Sequence, residues 1–468
     1  MKRIKLAYIG GGSKAWARVF MNDLALCPEL GGEISLYDID RAAAERNRRI
    51  GERINAHPDA VAAWRYTVAH TLEEALIGAD FVAISILPGT LDDMAADVHL
   101  PERYGVYQSV GDTVGPGGVL RAMRTVPLFE GFAQAIRDCC PKAWVINLTN
   151  PMTILCKTLF DVFPGIKAFG CCHEVFHAED FLCCVVKEQL GVPRPDRHEL
   201  TAEASGINHF TWIIQASWQG QDVLALLPGF MEKFYETGYC EQGDDPQAFR
   251  GENPFLYGNK VKMDLFRRFG ALGAAGDRHL VEFMNGSWYL NDAAAPEEWL
   301  YHLTSVDYRR ADQRRKMQEA EALADGTMPV TIRKSDEELI AFMKALVGLG
   351  PVVSNANTLN VGQMGELPLG AVVETNCRFE ENSLTPLPAR PLPAGAAALV
   401  AQNSRNIGDL YGAIRARDLG AIFEVFMNQP LCSRLTLAQG RALFHEMTAA
   451  TEGCLIPFFG PLPWTKRA

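Results

Sequence analysis

Ile4-Lys5-Leu6-Ala7-Tyr8-Ile9-Gly10-Gly11-Gly12-Ser13 decides how the first half of this chain folds. The mostly apolar run reads as a buried strand, and the glycines then turn the chain. Trp16 to Leu26 follows with helical periodicity. A glycine turn between strand and helix lets backbone N–H groups approach a pyrophosphate at the helix N-terminus. The third glycine of the usual fingerprint is absent, and Ala15 or Trp16 stands near its place. The next apolar run, Glu33 to Asp38, is a second strand ending in an acid. Asp38 there can accept both ribose hydroxyls and repel a 2′-phosphate, which favours NAD, while nearby Arg41 leaves NADP open. Gly10, Gly11, Gly12, Ser13 and Asp38 are the expected cofactor contacts, joined by Asn147 at a later strand end. An ordinary glycine turn is the alternative.

Working outward, Ala42 to Ile54 reads as a helix and Tyr66 to Ala69 as a short strand. Thr71 to Leu76 opens a helix with a capping-box pattern. Phe81 to Ile86, Trp144 to Leu148 and Lys167 to Gly170 read as further strands. This alternation predicts an α/β fold, a Rossmann-type doubly wound parallel sheet. Beyond about residue 200 the pattern changes. Thr211 to Ala216 and Gly370 to Glu374 read as strands, Ser335 to Val347 and Ile407 to Phe426 as helices, and proline-rich Leu384 to Ala394 as a loop or polyproline II segment. A chain of 468 residues exceeds one core. We expect residues 1–200 to form a nucleotide-binding domain and 201–468 an α+β domain for substrate, metal and oligomerisation.

With 45 basic and 56 acidic residues the net charge is −11, which argues against nucleic-acid or anionic-membrane partners. No apolar run reaches the ~20 residues of a membrane span. The basic start Met1-Lys2-Arg3-Ile4-Lys5 runs directly into the first strand and carries no signal-peptide core. The 12 cysteines include the adjacent pairs Cys139-Cys140, Cys171-Cys172 and Cys183-Cys184. Neighbouring cysteines make strained disulfides, so the expectation is free thiols in a reducing cytoplasm.

Three clusters carry further chemistry. Cys172, His173 and His209 offer a thiol and imidazoles, good donors for a transition metal, although such residues are as often simply packed. The glycine-rich stretch Gly111 to Gly118 leads to Arg121 and Arg124, which can clasp an anionic ligand or can be surface charges. Gly276-Asp277-Arg278-His279 places an acid, a guanidinium and an imidazole together, suiting a general base and an anion clamp or a simple helix cap.

With these residues in view the chain resembles family 4 of the glycoside hydrolases. The likeness runs nearly end to end: the Gly-Gly-Gly-Ser turn, Tyr37-Asp38-Ile39-Asp40, the Gly115 to Pro127 block, Asn147-Leu148-Thr149-Asn150-Pro151, Cys172-His173-Glu174-Val175, Gly206-Ile207-Asn208-His209-Phe210, and Leu367-Pro368 with Val373-Glu374. NAD-dependent members of that family are exceptions to the two-carboxylate rule for glycosidases.

The resemblance implies a lactate/malate dehydrogenase-like sheet and a redox-elimination reaction. NAD+ takes hydride from sugar C3, a base removes the C2 proton beside a divalent cation, usually Mn2+, and the C1–O bond breaks. Water then adds and the hydride returns, so NAD is recycled. Cys172 and His209 match the metal ligands and Asn150 a substrate-hydroxyl contact. Asp277 stands where the C2 base is expected, with Tyr257 and Tyr301 as rivals. Either His173 or Glu174 is placed to help proton transfer to the leaving group. The Cys-His-Glu-Val version resembles the uronic-acid group, acting on α-galacturonides or α-glucuronides. An α-galacturonide is the leading expectation, with α-glucuronidase, α-galactosidase or a 2-hydroxy-acid dehydrogenase as alternatives. Glu174 would repel a uronate, so the carboxylate needs Arg121, Arg124 or Arg278. A homodimer or homotetramer is the expected assembly.

Overall fold

Among the described residues a single sheet of thirteen strands runs through the protein. The computed structural model describes residues 1–14, 16–242 and 245–465; the expectation for Ala15 lies outside them. In chain order the strands are β1 (Lys2–Ile9), β2 (Leu30–Tyr37), β3 (Trp64–Val68), β4 (Phe81–Ile84), β5 (Trp144–Asn147), β6 (Lys167–Gly170), β7 (Thr201–Ile207), β8 (Phe210–Trp218), β9 (Gln221–Asp222), β10 (Leu272–Gly273), β11 (Val352–Leu359), β12 (Val372–Glu380) and β13 (Ser383–Pro386). The first six pair in parallel in the order β3-β2-β1-β4-β5-β6. That is the doubly wound arrangement, with its topological switch between β1 and β4. Strands β4 and β5 are buried at every position, as strands covered by helices on both faces should be.

The later strands extend the same sheet instead of building another. Asn357 of β11 pairs antiparallel with Gly170 of β6, and β12, β7, β8 and β10 follow in antiparallel succession. The break near residue 200 is therefore a change of strand direction within one sheet. One face is covered by the helix Gly115–Cys139 and by C-terminal helices. Phe129 and Ile136 pack there with Ile414, Phe426, Phe444 and Met447. Each such fully buried side chain contributes roughly 1.5–3 kcal/mol. On the other face the helices Trp16–Ala25, Arg41–Asn55 and Leu339–Leu346 enclose a second core.

Two sequence expectations need correction. Ile407 to Phe426 is not one helix. Ala394–Arg415 ends and Leu419–Met427 begins anew, with Arg417 at φ 56 and Asp418 capping the N–H groups of Gly420 and Ala421. Leu384, Thr385 and Pro386 are not loop but lie in β13, paired with β12. Pro386 is tolerated because β13 is an outer strand.

Candidate functional site

The carboxyl ends of β1, β5 and β6 and the β7–β8 turn converge on one crevice. At β1, Gly10 adopts φ +93, and a Cβ there would lie 1.9 Å from the Ser85 carbonyl oxygen. Only glycine lets this turn pass so close to the end of β4. Asp38 accepts from Gly12 N (2.8 Å) and Asp40 N (2.9 Å), so its carboxylate braces the turn from the end of β2. Asn47 Nδ2 holds the turn from below through the carbonyls of Gly11 and Ser13, both at 2.8 Å. Arg41 lies against His70, with Nη2 3.1 Å from Nε2. Asn147 is fully buried and turned inward: its Oδ1 accepts from Thr149 N (2.9 Å) and its Nδ2 donates to Thr149 O (3.1 Å). It shapes the β5 turn from inside.

Beyond β5, Asn150 presents an Oδ1 that is buried without a partner. Arg121 Nε donates to the Asn150 carbonyl at 3.0 Å, and its Nη1 is also unpartnered. Arg124, by contrast, is committed elsewhere. It pairs with buried Asp97 through both terminal nitrogens, and its Nε donates to Pro88 O at 3.1 Å. This corrects its reading as a substrate arginine, since all three of its nitrogens are already engaged and its charge is matched by Asp97.

The end of β6 delivers Cys172 and His173 to the same crevice, and the β7–β8 turn delivers Asn208 and His209. The Cys172 thiol is pushed well above its ordinary pKa by burial and by Glu374 and Glu174, and the Asn208 side chain reaches it. Glu374 is itself buried behind the turn, accepting from Thr211 Oγ1 (2.6 Å), Asn355 Nδ2 (2.8 Å) and Asn357 Nδ2 (3.0 Å). His209 is buried, kept neutral by that burial, and stacked on His279 with centroids 4.3 Å apart. Thr113 Oγ1 donates to Asp112 Oδ1 at 2.7 Å and lies 3.1 Å from His209 Nδ1. A hydroxyl has one proton; given to Asp112, it leaves Thr113 accepting from Nδ1–H and frees the His209 Nε2 lone pair.

Glu174 sits among imidazoles. Burial raises its carboxyl pKa, whereas positive charge on any of the surrounding imidazoles, His279, His177, His173 or His209, lowers it. Its Oε2 accepts from Gly276 N at 2.6 Å, and Oε1 lies 3.6 Å from His279 Nε2. His173, Glu174 and His177 bring one donor atom each within 4.8 Å of one another. His173 is partly exposed, stacks on Trp16 (centroids 5.5 Å) and places Nδ1 3.3 Å from Glu337. His177 and Glu337 were not picked out from the sequence, and Trp16 was noted only beside the glycine turn. The i, i+4 spacing of His173 and His177 is the one signal that could have found any of them.

Asp277 is fully buried, and its oxygens accept from Val261 N and Lys262 N, both at 3.0 Å. Burial pushes its pKa up to about 7. Tyr257 packs over Gly276, where a Cβ would meet its hydroxyl at 3.0 Å. The Lys262 ammonium, buried without a hydrogen-bond partner, lies 5.6 Å from the Tyr257 ring centroid. Tyr301 is spoken for, since its hydroxyl donates to Tyr289 O at 2.8 Å. Arg278 Nη1 donates to Thr304 Oγ1 at 3.0 Å, and its guanidinium stacks on Phe255 at 4.6 Å.

The donor set tests what the crevice can hold. Thiol, neutral imidazole and carboxylate suit a divalent transition metal, and Asn208 Oδ1 and His279 Nδ1 are buried polar atoms still lacking partners. The glycine turn with Asp38 suits a dinucleotide.

Comparison with known proteins agrees with this architecture. Residues 5–188 match the Family 4 glycosyl hydrolase domain, and residues 204–432 match the Family 4 glycosyl hydrolase C-terminal domain. An alpha-galacturonidase of Thermoanaerobacterium saccharolyticum is 44% identical over 449 residues, covering 96% of each chain. An alpha-galacturonidase of Bacillus subtilis is 44% identical over 447 residues, 96% of this chain and 97% of the relative. The crystal structure of lplD from Bacillus subtilis superposes with a TM-score of 0.90 at 44% identity, covering 96% of this chain and 100% of that one. A 6-phospho-alpha-glucosidase from gut microorganisms, in complex with NAD and Mn2+, shares the fold at a TM-score of 0.76 and 20% identity, over 97% of this chain and 99% of that one. With both of its halves matched and relatives alike from end to end, the chain belongs to family 4 of the glycosyl hydrolases.

Proposed function

We propose that this enzyme hydrolyses α-galacturonides with NAD and a divalent cation, Mn2+ foremost. The observation that carries this reading is the 44% identity to an alpha-galacturonidase over 96% of both chains. When bound, NAD supplies a hydride acceptor for sugar C3, and the cation supplies Lewis acidity to the neighbouring oxygens.

The chain's own residues divide the remaining work. Cys172 and His209 would hold the cation, with Thr113 fixing the His209 tautomer and Glu174 closing the shell. The Gly10–Ser13 turn and Asp38 would hold the dinucleotide. Asn150 would accept from a sugar hydroxyl. Of the three groups considered for C2 proton removal, Tyr301 is committed to Tyr289 O, which leaves Tyr257 and Asp277. Asp277 is sealed behind the backbone of residues 261 and 262 and acts through its neighbours. Burial, with Glu241, Glu174 and Asp277 nearby, pushes the Tyr257 phenol well above its ordinary pKa, so it would need the charge of the bound cation to lose its proton. His173, at the mouth of the crevice and paired with Glu337, is the candidate donor to the leaving oxygen.

The cytoplasm is the proposed compartment, supported by twelve cysteines that are all free thiols. Among the described residues no helix is long and apolar enough to cross a membrane. A homodimer or homotetramer is the proposed assembly, which sedimentation analysis would test.

Aryl α-D-galacturonide, α-D-glucuronide and α-D-galactoside, assayed with NAD+, Mn2+ and a thiol reductant, test the reading. Preference for the galacturonide is expected, and loss of that preference overturns it. Cys172→Ser should weaken Mn2+ binding while leaving NADH binding intact. If neither changes, the ligand assignment fails.

A further inference from the structure

We infer that Arg309, acting with Arg278, is the group that recognises the carboxylate of the uronide substrate. The inference rests on the galacturonide reading above and adds a specificity residue to it.

Arg309 lies in the first turns of the helix Val306–Asp325, where Ser305 caps the N-terminus by accepting from Tyr308 N. Its neighbour Arg310 turns outward and is doubly paired with Asp92 and Asp307. Arg309 turns inward and makes no such pair among the described residues. Its Nε is buried with no hydrogen-bond partner. Thr304, just before this helix, receives Arg278 Nη1 on its hydroxyl and donates its own N–H to Ser109 O at 2.8 Å. That contact ties the start of the helix to the loop carrying Asp112 and Thr113, at the edge of the proposed metal site.

The charge balance around this point is incomplete. The acids acting on Arg309 are Asp112, Glu282 and Asp312, with Arg278 opposing them. Asp112 already receives Thr113 Oγ1 and is acted on by Arg121, and Asp312 is engaged by Arg315 and Lys316. Glu282 spends Oε1 on Val110 N and Gly111 N, at 2.8 and 2.9 Å. Arg121 and Arg309 both act on Asp112, Arg278 opposes Arg309, and Glu282, its Oε2 buried without a partner, has a proton affinity raised by burial. A half-buried guanidinium whose Nε has no partner is open to an anion, and a planar fork is the natural partner of a carboxylate. Arg121 faces Asn150 on the nucleotide side. Phe255 stacks on Arg278 at 4.6 Å and lies 6.0 Å from the ring of Tyr308, the residue before Arg309, so Phe255 joins the two arginine-bearing segments. On this inference the C6 carboxylate of the uronide lies between Arg278 and Arg309.

The test compares kcat/KM on aryl α-D-galacturonide and aryl α-D-galactoside, which differ at C6 by carboxylate against hydroxymethyl, for the NAD- and Mn2+-loaded enzyme. Arg309→Met should reduce kcat/KM for the galacturonide about 100-fold, mostly through KM, and leave the galactoside within about threefold. Arg309→Lys should recover part of the loss. D-galacturonate, but not D-galactose, should raise the Tm of the wild type and of Arg309→Lys more than that of Arg309→Met. NADH titration checks that the variants are folded, and if Arg309→Met does not fold, Arg309→Lys and Arg309→Gln are compared in the same way. An equal loss on both substrates, or no loss on either, overturns the inference, as does a selective loss in Arg278→Met with full activity in Arg309→Met. A wild type that cleaves the galactoside as well as the galacturonide instead sinks the galacturonide reading itself.

Discussion

Replacing Thr113 by Val isolates the device that prepares His209. The substitution keeps the side chain's shape and removes only its hydroxyl. Two contacts disappear: the 2.7 Å bond to Asp112 and the 3.1 Å contact to His209 Nδ1. At about 1 kcal/mol for each hydrogen bond, the loss is about 2 kcal/mol, equivalent to roughly 30-fold. That lies within the 10–100-fold typical of removing the outer partner of a ligating histidine. The loss should appear in Mn2+ affinity, because the freed imidazole can rotate or take the wrong tautomer. Free Mn2+ measured by electron paramagnetic resonance across a titration gives the dissociation constant directly. NADH affinity should be unchanged, activity should return largely at saturating Mn2+, and Thr113→Ser should resemble the wild type. Unchanged Mn2+ affinity in Thr113→Val, or equal weakening in Thr113→Ser, would refute the reasoning.

Other perturbations follow from the same coordinates. Asp97→Asn leaves the Arg124 guanidinium buried and unmatched, and should lower unfolding free energy by about 3–5 kcal/mol in urea titrations; a change under about 1 kcal/mol would contradict the buried pair. Gly10→Ala should weaken NADH binding at least about tenfold in fluorescence titration, because the added methyl meets the Ser85 carbonyl; unaltered binding would show that the turn can shift. Burial raises the Glu282 pKa from 4.5 to about 7, so the folded chain holds a proton that the unfolded chain releases within that window. Stability should therefore fall as pH rises from about 4.5 to 7, by up to about 3 kcal/mol from this residue, and Glu282→Gln should flatten that part of the slope. Equal slopes for wild type and variant in urea unfolding would remove Glu282 as the cause.

The parallel half of the fold was legible because each strand there is an apolar run stopped by glycine, proline or an acid. Strand β11 escaped notice for the opposite reason. Its sequence Val352-Val353-Ser354-Asn355-Ala356-Asn357 is broken by polar residues, of which Asn355 and Asn357 satisfy buried Glu374 in another strand. The false single helix over 407–426 came from a turn built by Arg417 in the left-handed region, without glycine or proline to mark it. In the site, Cys172, His209, Asn150 and Asp277 were visible as motif residues. Their environment was not: nothing in the sequence separates Arg124, locked to Asp97, from Arg121, whose Nη1 is free. Arg309 was hidden in an ordinary charge run, because only the helix start at Ser305 turns it inward while Arg310 faces out.

The central claim is that the glycosidic bond breaks after hydride and C2 proton removal beside a cation held by Cys172 and His209. Hydrolysis of a C2-deuterated aryl α-D-galacturonide by the NAD- and Mn2+-loaded enzyme tests it most directly. The account predicts a primary isotope effect or exchange of the C2 deuterium with solvent, both lost on chelation. Undiminished cleavage by chelated, NAD-free enzyme, with the deuterium retained and no isotope effect, would contradict it.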